Sequence, residues 1–211
     1  MTGYQRAGAR EFYARTVPGA QLPVLAVRDA SGERTLLDPA ALGTGGQHAS
    51  LNAYSASPDG ALVAYNLALG GGEISAVHVM DVATGKDLPD VIPDVWGEFA
   101  VSWLPDGKAF FYTQLAPPAD GVDPMLHMQA RLHVVGTPVE RDVAILGRGV
   151  GVMPVAPEEF PRVHVPIGSN WLVARATGAH PGAPLAIAPL ASLDRTGAGK
   201  TPWRMIATLA D

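Results

Sequence analysis

The chain contains no cysteine, so disulfides and thiolate metal sites are excluded and the redox compartment stays unread. No apolar run approaches the ~18 residues that a membrane-spanning helix requires. Met1 to Ala20 carries Arg6, Arg10, Glu11 and Arg15 where a signal peptide needs an apolar core, which favours the cytoplasm over the periplasm. No window gathers a run of Lys and Arg, and the net charge is -5, so a nucleic-acid surface is not expected. Helical periodicity is missing too: no segment places apolar residues at a convincing 3.6-residue spacing. The histidines His48, His78, His127, His133, His164 and His180 form no i, i+4 pair and have no carboxylate at ligand spacing, so no metal or cofactor is expected.

What is present is a strand former's composition. Hydrophobic residues make up 47% of the chain, ample for a core. The 24 Gly and 19 Pro are spread at short intervals and punctuate many short strands. The stretch Tyr54-Ser55-Ala56-Ser57-Pro58-Asp59-Gly60-Ala61-Leu62-Val63-Ala64-Tyr65 recurs as Val101-Ser102-Trp103-Leu104-Pro105-Asp106-Gly107-Lys108-Ala109-Phe110-Phe111-Tyr112. In each copy Pro presets φ, Asp bonds its own backbone and Gly accepts the positive φ that closes a hairpin. The period from Pro58 to Pro105 is roughly 47 residues, the length of a propeller blade. A third, eroded copy runs from Arg162 to Ala174, with Ile167-Gly168-Ser169-Asn170 at its turn.

Read in order, the chain is all-β, a single partial propeller domain over 1–211 made of four-stranded antiparallel blades. The first blade is expected at about 9–39, the second at about 50–93, the third at about 97–147 and the fourth at about 162–210. Ala76 to Val82 is nearly continuous in apolar residues, as befits a strand covered on both faces. An insertion, Ala116 to Pro124, separates two strands of the third blade and, with the residues on to Met128, is a candidate for contact with a partner domain or substrate. Thr196-Gly197-Ala198-Gly199-Lys200-Thr201 invites a phosphate-loop reading, but Asp194 stands where a small residue is needed and Pro202 where a helix should open. It reads as a hairpin loop. Asp59 and Asp106 read as turn formers rather than paired acids. Trp103, Phe110, Phe111 and Tyr112 read as packing between sheets.

With the blades laid out, the sequence resembles the N-terminal propeller of the prolyl oligopeptidase family of serine peptidases. The likeness is carried by Leu36-Leu37-Asp38-Pro39-Ala40-Ala41-Leu42, by the Pro-Asp-Gly turns with their flanks, by Asp81-Val82-Ala83-Thr84-Gly85-Lys86-Asp87-Leu88-Pro89-Asp90 and by Leu132-His133-Val134-Val135-Gly136-Thr137-Pro138. In that family a seven-bladed propeller caps an α/β-hydrolase domain and admits only short peptides, which are cut after proline. The resemblance therefore implies the gating, substrate-access portion of a serine-type endopeptidase, an incomplete arc of about four blades, with the hydrolase domain as partner in cis and short proline-containing peptides as ligands. It begins inside the first blade, so the native N-terminus is expected upstream and export stays open.

A hydrolase nucleophile needs a Gly-x-Ser-x-Gly elbow, and none occurs here. No catalytic residue is assigned, and the chain by itself is expected to be inactive. The family's propeller also lends an aromatic to the substrate pocket, and Trp96 and Phe99 are the nearest aromatics to that place, with Glu98 in the aligned slot. A family arginine close to Gly178 corresponds to Ala176. The alternative reading is a stand-alone propeller-like module that binds protein or peptide.

Overall fold

Short β-branched and aromatic runs separated by tight turns leave the backbone one economical way to satisfy its N–H and C=O groups, which is to pair each strand with the one before it. The computed structural model describes residues 2–43, 46–117, 121 and 123–208. Among them there is no α-helix, only three one-turn 3-10 segments at Pro39–Ala41, Val139–Arg141 and Leu190–Ser192. The fold is all-β, built of sheets of four antiparallel strands in chain order, which is the pattern of propeller blades. Contacts divide the chain into two compact units, 1–107 and 108–211.

In the first unit, β1 (Thr2–Ala7), β2 (Arg10–Arg15), β3 (Val24–Asp29) and β4 (Gly32–Leu37) form one sheet. A second set follows in the order β5 (Ala49–Ala56), β6 (Leu62–Leu69), β7 (Ile74–Asp81) and β8 (Lys86–Trp96). The two-residue β9 (Ser102–Trp103) leads into the second Pro-Asp-Gly turn. Strand β1 lies ahead of the span expected for the first blade. Its pattern gave no alternation because Ala7 is its only buried residue among the described side chains. Phe12, Leu25, Val27 and Leu37 of the first sheet pack on Tyr54, Val63, Tyr65 and Met80 of the second, each such burial contributing about 1.5–3 kcal/mol.

Polar contacts fix how those two sheets meet. Gln5 on β1 donates through Nε2 to the Tyr54 carbonyl at 2.8 Å, and its Oε1 accepts from the Ala56 amide at 3.0 Å. The hairpin tips interlock: the Gly8 amide donates to the Pro58 carbonyl at 3.1 Å, and Arg10 donates to the Gly60 carbonyl at 2.7 Å. Gly60 sits at φ 71°, and a Cβ there would stand 2.5 Å from the Ala7 carbonyl oxygen. Glycine is required twice over, by conformation and by space.

In the second unit, β10 (Ala109–Gln114), β11 (Gln129–Val134) and β12 (Val143–Leu146) pair in sequence, and β13 (Phe160–His164), β14 (Trp171–Thr177), β15 (Leu185–Pro189) and β16 (Arg204–Ala207) form a further four-stranded sheet. That last sheet alternates strictly. Pro161, Val163, Leu172, Ala174, Ala176, Ala186 and Ala188 are buried on one side, where the Thr113 hydroxyl of β10 reaches the Pro161 carbonyl at 2.9 Å. The eroded turn keeps its glycine but shifts by one place. Ser169 donates to the Pro166 carbonyl at 3.0 Å, which puts Gly168, at φ 73°, at the third turn position that a type II turn reserves for glycine. In the Pro-Asp-Gly copies the glycine is instead the fourth residue, donating to Ser57 or Leu104. Pro118, Ala119, Asp120 and Val122 of the expected insertion, Thr44 and Gly45 of the Gly43 to Gly46 link, and Leu209 near the chain end lie outside the described residues.

Candidate functional site

Trp96 and Phe99 lie on one loop of the first unit. Trp96 ends β8 and is buried, Glu98 is exposed and Phe99 is half-buried. The Phe99 amide donates to the Trp96 carbonyl at 3.3 Å, and the Gly97 amide donates to the Glu73 carbonyl at 2.7 Å. The brace beneath the loop is Asn66 of β6, fully buried, whose Nδ2 donates to the carbonyls of Gly97 and Phe99, both at 3.3 Å. Because both partners are acceptors, the amide nitrogen must face them, and Oδ1 is left without a hydrogen-bond partner. A Cβ on Gly97 would meet the Glu73 carbonyl at 2.6 Å and Asn52 Nδ2 at 2.7 Å. Sequence reasoning passed over Asn66 and Gly97. The available signal was an asparagine inside Leu62-Val63-Ala64-Tyr65-Asn66-Leu67, since a polar side chain within a strand covered on both faces must be hydrogen-bonded.

A second theme is a tyrosine on the second strand of a sheet bonded to a carboxylate near the start of the fourth. Tyr13 donates to Glu33, Tyr65 to Asp87 at 2.9 Å and Tyr112 to Asp142 at 2.8 Å. The last pair is buried and includes His133, whose Nδ1 lies 2.8 Å from Asp142 Oδ1. Burial, with the Asp142 charge beside it, pushes the Tyr112 phenol well above its ordinary range. The His133–Asp142 pair has the arrangement of a base and its orienting acid, yet its side chains are 1% and 0% exposed, so no substrate reaches it and its role is to hold the third sheet together.

The described end of the insertion is fastened to its own unit. Met125 and Leu126 turn on Asp123, and His127, at φ 64°, donates its amide to the Pro157 carbonyl at 2.7 Å. Nearby, buried Glu159 accepts from the Ala156 amide at 2.6 Å and pairs with His180 Nε2 at 2.9 Å. No group of three or more His, Cys, Asp or Glu with metal-site geometry occurs among the described residues. The phosphate-loop look-alike is occupied by its own side chain: Asp194 accepts from the amides of Thr196 and Lys200, both at 2.9 Å, and from the Thr196 hydroxyl at 2.6 Å. Those bonds hold the Asp194 carboxyl down to about 2. Ala176, at the place of the family arginine, is fully buried on the alanine side of its sheet. No helix among the described residues is long and apolar enough to cross a membrane.

Among the described residues each unit carries an open cleft. One of about 540 Å³ in the first unit is lined by Leu42, Tyr65, Ile74, His78, Asp87 and Asp94 among others. One of about 550 Å³ in the second is lined by Gly149, Val150, Asp194, Gly197, Pro202 and Trp203 among others. Neither includes Trp96 or Phe99.

Residues 1–149 match the family described as the prolyl oligopeptidase N-terminal beta-propeller domain. A prolyl endopeptidase of Elizabethkingia meningoseptica is 31% identical over 147 residues, covering 67% of this chain and 19% of the relative. One of Elizabethkingia miricola is 33% identical over 129 residues, covering 59% and 18%. The chain thus spans about a fifth of the length of the curated relatives it matches. Among solved structures, a chain from a structural and mechanistic study of two prolyl endopeptidases superposes with a TM-score of 0.78 at 23% identity, over 97% of this chain and 29% of that one. Prolyl oligopeptidase B from Galerina marginata, as apo protein, superposes with a TM-score of 0.73 at 20% identity, over 98% and 31%.

Proposed function

The chain belongs to the prolyl oligopeptidase family, and from that membership we propose that it serves as the substrate-access propeller of a serine-type endopeptidase that cuts short peptides after proline. The observation that carries this reading is the propeller match over residues 1–149. In it the nucleophile, base and oxyanion hole come from an α/β-hydrolase domain in cis, and the propeller forms a wall of the substrate cavity and limits what enters.

Of the two candidates Trp96 and Phe99, half-buried Phe99 is the side chain proposed to face the peptide and buried Trp96 the one that anchors the loop, which the Asn66 and Gly97 contacts hold in place. A preformed loop loses little entropy when a peptide arrives, which is how a scaffold contributes to affinity without taking part in bond making. The catalytic work stays outside this chain, because nothing described here pairs an exposed nucleophile with a base.

The test is dye release from a chromogenic succinyl-Gly-Pro substrate. Residues 1–211 alone are expected to release none. The same propeller continued through its native reading frame into a Gly-x-Ser-x-Gly-bearing domain is expected to release dye, and Phe99→Ala is expected to raise KM more than it lowers kcat. Release by the 211 residues alone that disappears when one of their own serines is replaced would overturn the proposal, as would a continued reading frame with no such elbow.

A further inference from the structure

The cleft of the first unit opens between elements that are both in place. Leu42, from the link that follows the first sheet, is part of its wall, and Tyr65, Leu67, Ala76 and His78 of β6 and β7 line it from the second. Tyr65 and Met80 already pack on Phe12, Leu25 and Val27 of the first sheet, and about 540 Å³ is left open beside them. The opening therefore remains with both neighbouring sheets present. Leu42, Leu69 and Ile74 of its lining are exposed, so the apolar wall is within reach of a ligand from solution. Trp96 and Phe99 are not among its lining residues, so this site does not depend on their loop.

Charge of one sign faces that apolar wall. The lining holds Asp87 and Asp94 and no Lys or Arg. His78, stacked on Tyr65 with ring centroids 5.3 Å apart, brings no compensating charge, because burial pushes its pKa below that of an ordinary imidazole and outweighs the opposing pull of Asp87. The Tyr65 hydroxyl donates to the two oxygens of Asp87, at 3.0 and 2.9 Å. A carboxylate offers about four lone-pair sites, so Asp87 can accept from a ligand as well. Asp94 comes to the cleft by a bulge: Ser75 pairs with Val95 and Val77 with Ile92, which leaves Pro93 and Asp94 together opposite Ala76 alone. Asp94 stands at φ 56°, and a bulge of this kind re-aims a side chain out of strand alternation. Asp87 is opposite Met80, four β7 positions from Ala76, so the two acids are set roughly 13 Å apart along the strand at about 3.3 Å per residue.

We propose that this cleft binds a linear diamine, with one ammonium on Asp87, the other on Asp94 and the carbon chain lying along Leu67, Ala76 and Pro93. Each end makes a charge-assisted hydrogen bond, and a chain of about eight carbons bridges the two acids. The apolar stretch between them suits methylene groups and offers nothing to a hydrated ion. A divalent metal does not fit, because its oxygen ligands must converge to within about 2.6 Å of one point.

The experiment is calorimetric titration of the whole chain at low ionic strength with octamethylenediamine. Octylamine, with the same carbon chain and a single ammonium, and putrescine, with both ammoniums on a chain too short to reach, are the references. Octamethylenediamine is expected to bind with one-to-one stoichiometry and at least about tenfold more tightly than either. Asp87→Asn, which keeps an acceptor for Tyr65, and Asp94→Asn are each expected to bring the diamine down to the level of octylamine. Glu140→Gln, at an exposed acid of the second unit, is expected to leave its affinity unchanged. Equal affinities for octamethylenediamine and octylamine would overturn the site, as would an unchanged affinity in both aspartate variants. If those variants fail to fold, the comparison of the three amines on the parent decides alone: a preference for the long diamine over both references supports the site, and its absence refutes it.

Discussion

The third and fourth sheets of this chain fasten themselves in opposite ways. In the third, the carboxylate of Asp142 is buried and joins three strands' worth of side chains, accepting from Tyr112 of β10 and meeting His133 of β11. In the fourth, the acid near the outer strand is Asp194, half-buried, and its carboxylate bonds within its own loop. The facing layers differ to match: Phe110, Phe111 and Leu132 fill the third sheet, whereas alanines make up most of the buried side of the fourth. A blade can be locked by a polar group that reaches across it or by local turns strung along it. Only the first kind couples distant strands, and the first two sheets, with Tyr13–Glu33 and Tyr65–Asp87, use it as well.

The strongest way to break this contrast is Asp142→Ala. It leaves the Tyr112 hydroxyl and His133 Nδ1 buried without their acceptor, and an abandoned buried donor costs far more than a hydrogen bond is worth when made. A loss on the order of 3 kcal/mol is expected in urea melts. Asp142→Asn, which still offers one acceptor oxygen, should recover part of it. A loss below about 1 kcal/mol for the alanine variant would mean that the cluster does not hold the sheet.

A smaller effect sharpens the same contrast at the turns. Gly60 lies against the backbone of the neighbouring hairpin, 2.5 Å from the Ala7 carbonyl as seen by an added Cβ, while Gly168 has nothing within 4 Å. Both have positive φ, so valine is strained at either place. Gly60→Val is expected to cost about 3 kcal/mol and Gly168→Val about 1 kcal/mol. Gly107, whose nearest neighbour is the Ser57 Cβ at 3.7 Å, should behave like Gly168. Equal melting temperatures for the Gly60 and Gly168 variants would show that the interlocked tips contribute nothing.

Much of this was legible in advance, and the reasons are physical. Pro-Asp-Gly is a local signal, since its turn is dictated by the φ preferences of those residues, so the all-β class of four-stranded antiparallel sheets was readable from the sequence. Strand β1 was not, because it lies at a sheet edge and, among its described side chains, buries only Ala7. The Tyr–carboxylate bonds were also hidden: Tyr65 and Asp87 are 22 positions apart and Tyr112 and Asp142 are 30 apart, and only the strand register brings them together. The same holds for Arg162 and Arg175, ordinary surface residues in the sequence and direct partners across β13 and β14. At the candidate peptide loop, Trp96 and Phe99 came from the family resemblance, while Asn66, which holds their backbone, is visible only once β6 is known to be covered on both sides.

The smallest effect concerns the fourth sheet's own device. Asp194 is bonded by two amides and a hydroxyl that favour its charged form, which holds its carboxyl down to about 2, against about 4 for an unperturbed aspartate. The group is depressed on folding, so its contribution is complete above about pH 4 and is lost as pH falls toward 2. Because the carboxylate's hydrogen bonds all run to Thr196 and Lys200 of its own loop, that loss should stay local, opening the Thr196 to Lys200 loop without unfolding β13–β16. The amide resonances of Thr196 and Lys200 should therefore titrate together with a midpoint near 2, and Asp194→Asn should abolish the shared titration while leaving the melting temperature at neutral pH almost unchanged. A midpoint near 4 would mean that the loop does not grip its acid, and a large fall in melting temperature for Asp194→Asn would mean that the loop is coupled to the sheet core after all, erasing the distinction between the two kinds of blade.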